Sequence, residues 1–184
     1  TFSCLVIAIL GNLAAAECSA LIDKLEKPII LEPMSKFPVI RDLIVDRSRM
    51  FDALKKVHAW VTADGYHDLG PGDRESQSIQ EVAYKLSECM TCGCCVEACP
   101  QYTKENNFLG AAAISQARLF NMHHTGKNIT DSRLDTLMQE GGISDCGNAQ
   151  NCVEVCPKSI PLTESIAEIG RQVSGKILRN IFNA

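Results

Sequence analysis

Twelve residues near the middle of the chain limit its possible folds more than any other feature. They read Cys89-Met90-Thr91-Cys92-Gly93-Cys94-Cys95-Val96-Glu97-Ala98-Cys99-Pro100, with the spacing C-x2-C-x2-C-x3-C-P. In that spacing a tight turn aims three thiolates at one iron–sulfur cubane. The next helical turn carries the fourth sulfur away, toward a second cluster. Pro100 has no N–H and a fixed φ, so the backbone cannot continue unchanged after the last cysteine. C-x2-C pairs also occur in zinc knuckles, but the full run with its proline favours iron–sulfur ligation.

The run has a partner. Residues 146–157 read Cys146-Gly147-Asn148-Ala149-Gln150-Asn151-Cys152-Val153-Glu154-Val155-Cys156-Pro157, the same pattern 57 residues later with Ala149 in the second cysteine position. If the last cysteines of the two runs exchange clusters, Cys89, Cys92, Cys95 and Cys156 make one complete set, suited to a 4Fe–4S cluster. The other set is Cys99, Cys146 and Cys152, suited to a 3Fe–4S cluster whose missing iron lies where Ala149 offers no lone pair. Cys94 is left over, and is expected to be a small residue packed beside the cluster.

Seven of the ten cysteines are engaged in this way. Thiolates that hold iron must be reduced, so a reducing compartment is expected and a disulfide framework is disfavoured. A net charge of −4 gives no footprint for nucleic acid. The length of 184 residues suits one or two domains. The most apolar stretch, Cys4 to Ala16, is shorter than the ~20 residues needed to cross a bilayer. It has no basic residues before it, and Glu17 precedes Cys18, which argues against a signal peptide with a lipid anchor. Because the sequence starts at Thr1, it is expected to be the cut end of a longer protein.

Along the chain, Ile29-Ile30-Leu31 and Val39 to Val45 are enriched in β-branched residues and predict strands. From Ser48 the period changes, and Met50, Phe51, Leu54, Val57 and His58 predict a helix. Residues 63–78, with Gly70-Pro71-Gly72-Asp73, read as a loop. A helix over about 75–88, with Ile79, Val82, Ala83 and Leu86 on one face, delivers Cys89. A second runs from Phe108 to Met122, small on one side through Ala111, Ala112 and Ala113, with a solvated His123-His124 pair at its end. Thr130 or Asp131 caps a third, burying Leu134, Leu137 and Met138, and Gly141-Gly142 ends it. Pro161 and Thr163 open a last helix whose stripe Ile166, Ile169, Val173, Ile177, Leu178 and Ile181 predicts core packing. His58 is expected to be a surface or packed histidine.

The two cysteine runs, together with Leu31-Glu32-Pro33-Met34 through Asp42-Leu43 and Val45-Asp46 to Phe51, resemble the iron–sulfur subunit of succinate dehydrogenase and fumarate reductase over about residues 18–180. The stretch Cys146 to Cys152 is most similar to the Bacillus-type, menaquinone-linked branch. The resemblance implies an α+β chain. Residues 1–46 would be the C-terminal part of a plant-ferredoxin-like, β-rich 2Fe–2S domain, and 47–184 an all-α ferredoxin-type domain with the other two clusters. In the family's C-x4-C-x2-C pattern with a later fourth cysteine, Cys18 matches the fourth ligand and Cys4 the third. The interval between them is longer than the pattern implies, and the first two cysteines are absent from this sequence.

The resemblance also implies the activity. Such a subunit relays electrons from an FAD-bearing flavoprotein subunit, where succinate becomes fumarate, to quinone at a membrane-anchor cytochrome b subunit. It sits peripherally on the cytoplasmic side of the cell membrane and binds neither succinate nor FAD, so no catalytic residue is expected. Ubiquinone-reducing relatives place a tryptophan shortly after the first Cys-Pro and a histidine after the first cysteine of the second run. Tyr102-Thr103-Lys104 and Gly147 stand there instead, which suits a haem-bearing anchor and menaquinone. Two rival readings remain at the level of sequence: a fumarate reductase subunit with reversed electron flow, and a zinc-stapled interaction module with no use for Ala149.

Overall fold

Residues Gly110 to Ser115 are all buried, and the helix they begin is the axis of the helical body. A helix buried on every side carries no strong polar face, and this one is packed by five others. In the computed structural model, residues 31–62 and 74–183 are described in full, with the backbone alone of a hairpin at residues 7–10 and 13–16. The elements in order are β1 (Ile7–Leu10), β2 (Leu13–Ala16), β3 (Val39–Arg41), β4 (Ile44–Val45), α1 (Ser48–Lys56), α2 (Gln77–Ser87), α3 (Cys94–Glu97), α4 (Gly110–Met122), α5 (Thr130–Met138), α6 (Asn151–Glu154) and α7 (Leu162–Phe182). β1 pairs antiparallel with β2 and β3 with β4, so the described residues form two small hairpins beside a helical body. The α+β expectation holds.

α4 touches α1, α2, α3 and α7, while α5 lies against both α4 and α7. Its run of three alanines lets these neighbours come close. The helix starts at Gly110 rather than Phe108 because Gly110 has φ +85°, and a Cβ there would lie 2.5 Å from Val96 Cγ1. Phe108 and Leu109 are still buried, as part of an entering loop tied by Leu109 N–H to the Gly141 carbonyl at 2.8 Å.

Several local expectations change. Residues 29–30 lie outside the described residues, and Leu31 is exposed and outside any strand. Val39 to Val45 is not one strand but a tight hairpin, because Asp42 turns the chain at φ +52°. α1 buries Met50, Ala53 and Val57, whereas Phe51 is exposed beneath the Arg47 guanidinium at 5.7 Å. His58 lies beyond the helix at φ +48°, packed edge-on to Trp60 with centroids 4.9 Å apart. α2 begins two residues later than expected on a Ser76 cap, and only Leu86 of its predicted face is fully buried. α5 has no side-chain cap; a 3-10 turn at Gly126–Ile129 feeds into it, and Met138 is exposed while Leu134 and Leu137 are buried. His123 is structural: its Nδ1 accepts from the N–H groups of Thr125 and Gly126, both at 3.2 Å. Of the α7 stripe only Ile169 and Val173 are fully buried; Ile177, Leu178 and Ile181 are exposed on the face opposite Lys176 and Arg179, which pair with Asp131 of α5.

Arg133 of α5 is completely buried and satisfied only by oxygens of amide type. Nε donates to the His58 carbonyl at 2.9 Å, Nη1 to the Gly126 carbonyl at 2.6 Å and Asn121 Oδ1 at 3.1 Å, and Nη2 to the Trp60 carbonyl at 2.9 Å. Burial pushes its guanidinium below the usual range, though not far enough to discharge it. It therefore ties the end of α1 to α4 and α5. Removing a charge from the core is a gain, but four orphaned acceptors at about 1–3 kcal/mol each outweigh it. Arg133→Met is expected to lose about 3 kcal/mol or more, read as a fall in the thermal or denaturant midpoint. An unchanged midpoint would show that these carbonyls find water.

Candidate iron–sulfur centres

The two cysteine runs fold into the same backbone twice. In the first, Thr91 and Gly93 have φ of +50° and +94°; in the second, the positions 57 residues later, Asn148 and Gln150, have +51° and +64°. A one-turn helix follows each, α3 and α6, closed by Val96 N–H to Gly93 O at 3.1 Å and by Val153 N–H to Gln150 O at 2.9 Å. Two left-handed residues flanking one of negative φ turn the chain back on itself, so that side chains either side of the turn face inward. Glycine at 93 is favoured, though Gln150 takes the matching position of the second run. The dihedral favours it, and an added Cβ would lie 2.9 Å from Met34 Cε.

These turns sort the cysteines. Cys89, Cys92 and Cys95 of the first run line one cavity with Cys156 of the second; Ala112, Ile160 and Leu162 complete its wall. Cys146 and Cys152 line the other with Cys99 of the first run; Ala149, Ala111, Phe108 and Ile166 are also there. The cavities are alike in size, about 380 and 370 Å³ including the part open to solvent. The adjacent alanines of α4 thus face one cavity each, which explains why larger residues are absent from that face. Among the described residues no three side chains of the His, Cys, Asp or Glu types are arranged to hold a single metal ion. Cys4 and Cys18 lie outside the described residues.

Electrostatics divides the cysteines. Burial pushes the thiols of Cys89 and Cys95 up, and that of Cys152 up to about 11. Cys92 moves the other way, down to about 6, chiefly because the Cys94 thiol donates a hydrogen bond to it. That bond pushes the Cys94 proton affinity well up. Cys94 is thus a buried donor onto a cluster-facing sulfur, a role the spacing did not reveal. At the equivalent place in the second run Asn151 instead donates across to the Ala98 carbonyl at 3.1 Å, tying run to run. Backbone N–H groups also reach sulfur: Ile160 donates to Cys156 Sγ at 3.4 Å.

The residues present fit iron–sulfur clusters. The donors are thiols, whose protons would leave on metal binding. The walls are small or apolar. The buried Tyr102 hydroxyl has no hydrogen-bond partner among the described residues, and the charge of Cys95 reaches it. Two basic side chains approach the loops from outside, Lys36 onto the Cys99 turn and Arg47 onto the Cys92 turn. Neither was legible from spacing, because both come from the strand-rich segment.

Comparison with known proteins agrees. A family model described as a 4Fe-4S dicluster domain matches residues 85–160, and one described as a 2Fe-2S iron-sulfur cluster binding domain matches residues 5–52. The succinate dehydrogenase iron-sulfur subunit of Bacillus subtilis is 57% identical over 91% of this chain and 66% of its own length. The fumarate reductase iron-sulfur subunit of Mycobacterium tuberculosis is 33% identical over 82% of this chain and 61% of its own, and that of Wolinella succinogenes 28% identical over 85% and 66%. The chain therefore spans about two-thirds of the length of these relatives. Among solved structures, the Mycobacterium smegmatis Sdh1 complex in the apo form contains a chain with the same fold, at TM-score 0.78 and 23% identity, covering 95% of this chain and 77% of that one. Two cysteine turns folded alike, two iron–sulfur domain matches and relatives of one kind lead to one conclusion: the chain belongs to the iron–sulfur subunits of succinate dehydrogenase and fumarate reductase.

Proposed function

We infer that this chain is the electron-transfer subunit of a succinate:quinone oxidoreductase. It takes electrons from a flavoprotein subunit carrying FAD, where succinate is oxidised to fumarate, and passes them toward menaquinone at a cytochrome b membrane anchor. The observation that carries this reading is the exchange of the last cysteines between two otherwise equal turns, with Ala149 in the smaller donor set. Cys89, Cys92, Cys95 and Cys156 would hold a 4Fe–4S cluster, and Cys99, Cys146 and Cys152 a 3Fe–4S cluster. Cys18, with Cys4, would contribute to a 2Fe–2S cluster. Bound there, the clusters accept and release single electrons. The chain's own residues hold them, exclude water with Ala111, Ala112, Ile160 and Leu162, and present N–H and S–H donors to the sulfurs.

Relatedness supports the succinate-oxidising direction. The relative named for succinate dehydrogenase is 57% identical, and the two named for fumarate reductase are 33% and 28%. A fumarate reductase subunit with reversed flow is the alternative. Gly147 and Tyr102 in place of histidine and tryptophan support menaquinone over ubiquinone. Among the described residues no helix is long and apolar enough to cross a membrane, so attachment would rest on the anchor, on the cytoplasmic side where thiolates stay reduced. We place the division between the 2Fe–2S part and the dicluster part at residues 46/47, where β4 gives way to α1.

Metal, acid-labile sulfide and EPR analysis of anaerobically purified protein tests this. The expected result is seven irons attributable to the two dicluster centres, with a 3Fe–4S signal in the oxidised protein. Zinc without labile sulfide would leave the zinc-stapled module as the answer. Eight irons and no oxidised signal would overturn the 3Fe–4S assignment.

A further inference from the structure

Residues 35–47 touch the first cysteine run at two places, and a cation stands at each. The Lys36 ammonium donates to the Val96 carbonyl at 3.3 Å and to the Cys99 carbonyl. It is held there by its own backbone. The buried Glu97 carboxylate accepts from Ser35 N–H at 2.9 Å, from the Ser35 hydroxyl and from Lys36 N–H at 3.1 Å. Burial lowers the proton affinity of Lys36, while the charges of Cys99 and Glu97 pull it back up. Eleven residues on, Arg47 donates through Nη1 to the Thr91 carbonyl at 2.9 Å and the Cys92 carbonyl at 3.4 Å. Its charge is also felt at the Cys92 sulfur. The β3–β4 hairpin separates the two cations, and Asp46 N–H to Pro38 O at 2.7 Å closes its base.

We propose that Lys36 and Arg47 set the reduction potentials of the two centres separately, Lys36 that of the centre containing Cys99 and Arg47 that of the centre containing Cys92. The inference rests on the iron–sulfur reading above. Reduction adds one electron, drawn from whatever donor poises the sample, and one negative charge to the cluster; no bond or proton need move. A fixed, half-buried cation at the ligand turn stabilises the more negative state, and screening by salt is weak there. Glu97 opposes Lys36 at that turn. Removing the lysine charge also leaves the carboxylate uncompensated, so both changes push the potential down. The two cations sit on one run but beside ligands of different centres, Lys36 at Cys99 and Arg47 at Cys92, which is why the effects should separate.

The test is EPR-monitored potentiometric titration of the full protein in its membranes, with iron content measured alongside. Lys36→Met should cut the reduced-to-oxidised ratio of the 3Fe–4S centre about tenfold at fixed ambient potential, a downward shift of 59 mV for one electron, and leave the 4Fe–4S centre where it was. Arg47→Met should do the reverse. Lys36→Arg and Arg47→Lys should restore each potential. Unmoved potentials in both Met variants, equal shifts in both centres, or charge-preserving variants that shift as far as Met would overturn the proposal. So would a Met variant that loses iron instead of shifting, since the residue would then be a structural tie. The two layers of failure are distinguishable: missing signals in the unsubstituted protein refute the iron–sulfur reading, whereas normal signals with unmoved potentials refute only the role of the cations.

Discussion

Cys156→Ser is expected to destroy a centre built mostly by residues more than sixty positions away. Cys156 lines the cavity of Cys89, Cys92 and Cys95, although its own run supplies the other cavity. Serine is nearly isosteric but a poor soft ligand, so the four-thiolate set falls to three. The effect on folding should be large as well. The cluster site does not exist in the unfolded chain, so cluster binding is part of the folding free energy. The last cysteine of each run pins it to the other, and little else does so directly except Asn151 with Ala98. Loss of that pin should remove stability comparable with that of the whole helical body, on the order of 5–15 kcal/mol. Cys99→Ser is the mirror case and should cost the three-thiolate centre built by Cys146 and Cys152. EPR of the two variants decides the matter by which signal disappears first. If Cys99→Ser spares the 3Fe–4S signal and removes the other, each run holds its own cluster and the assignment of both ligand sets is wrong.

Much of this site could be read from the chain because a ligand run is a local object. Its spacing fixes a turn, the turn fixes which sulfurs converge, and the same left-handed positions recur at 91 and 93 and at 148 and 150. The helix that carries Ala111 and Ala112 past the two cavities was visible for a similar reason, since three alanines in a row demand close neighbours. Long-range packing left weaker marks. The apolar end of α7 has the right period for a core helix, yet Ile177, Leu178 and Ile181 are exposed because no element of the described residues covers that face, α5 meeting the other at Lys176 and Arg179. Met138 fails for the same reason. Burial of Arg133 contradicts what its charge suggests, and only the carbonyls of His58 and Trp60 beyond α1 and of Gly126 before α5 explain it. Lys36 and Arg47 gave no signal at all: a single cation in a strand-rich segment looks like ordinary solvated charge until the fold lays that segment across the cysteine turns.

Ala149→Cys should convert the three-iron centre into a four-iron one. Ala149 lies between Asn148 and Gln150, whose left-handed backbone copies that of Thr91 and Gly93 around Cys92. A cysteine placed there inherits the direction of the Cys92 side chain, and Ala149 already lines the cavity with Cys99, Cys146 and Cys152. The position is exposed, so the new thiol meets iron from solvent without breaking any core contact. The oxidised 3Fe–4S signal should vanish and the iron attributable to the two centres should rise from seven to eight. The potential should also fall, because an added thiolate raises the negative charge on the cluster, and net charge is one of the terms that spread such potentials over roughly −700 to +450 mV. A fall on the order of a hundred millivolts or more would be in keeping with one full charge at bonding distance. Titration of the variant beside the parent protein measures both changes at once. A retained 3Fe–4S signal at an unshifted potential would mean that the vacant corner of the cluster does not point at residue 149, and that the register of the second run differs from the first despite their shared backbone.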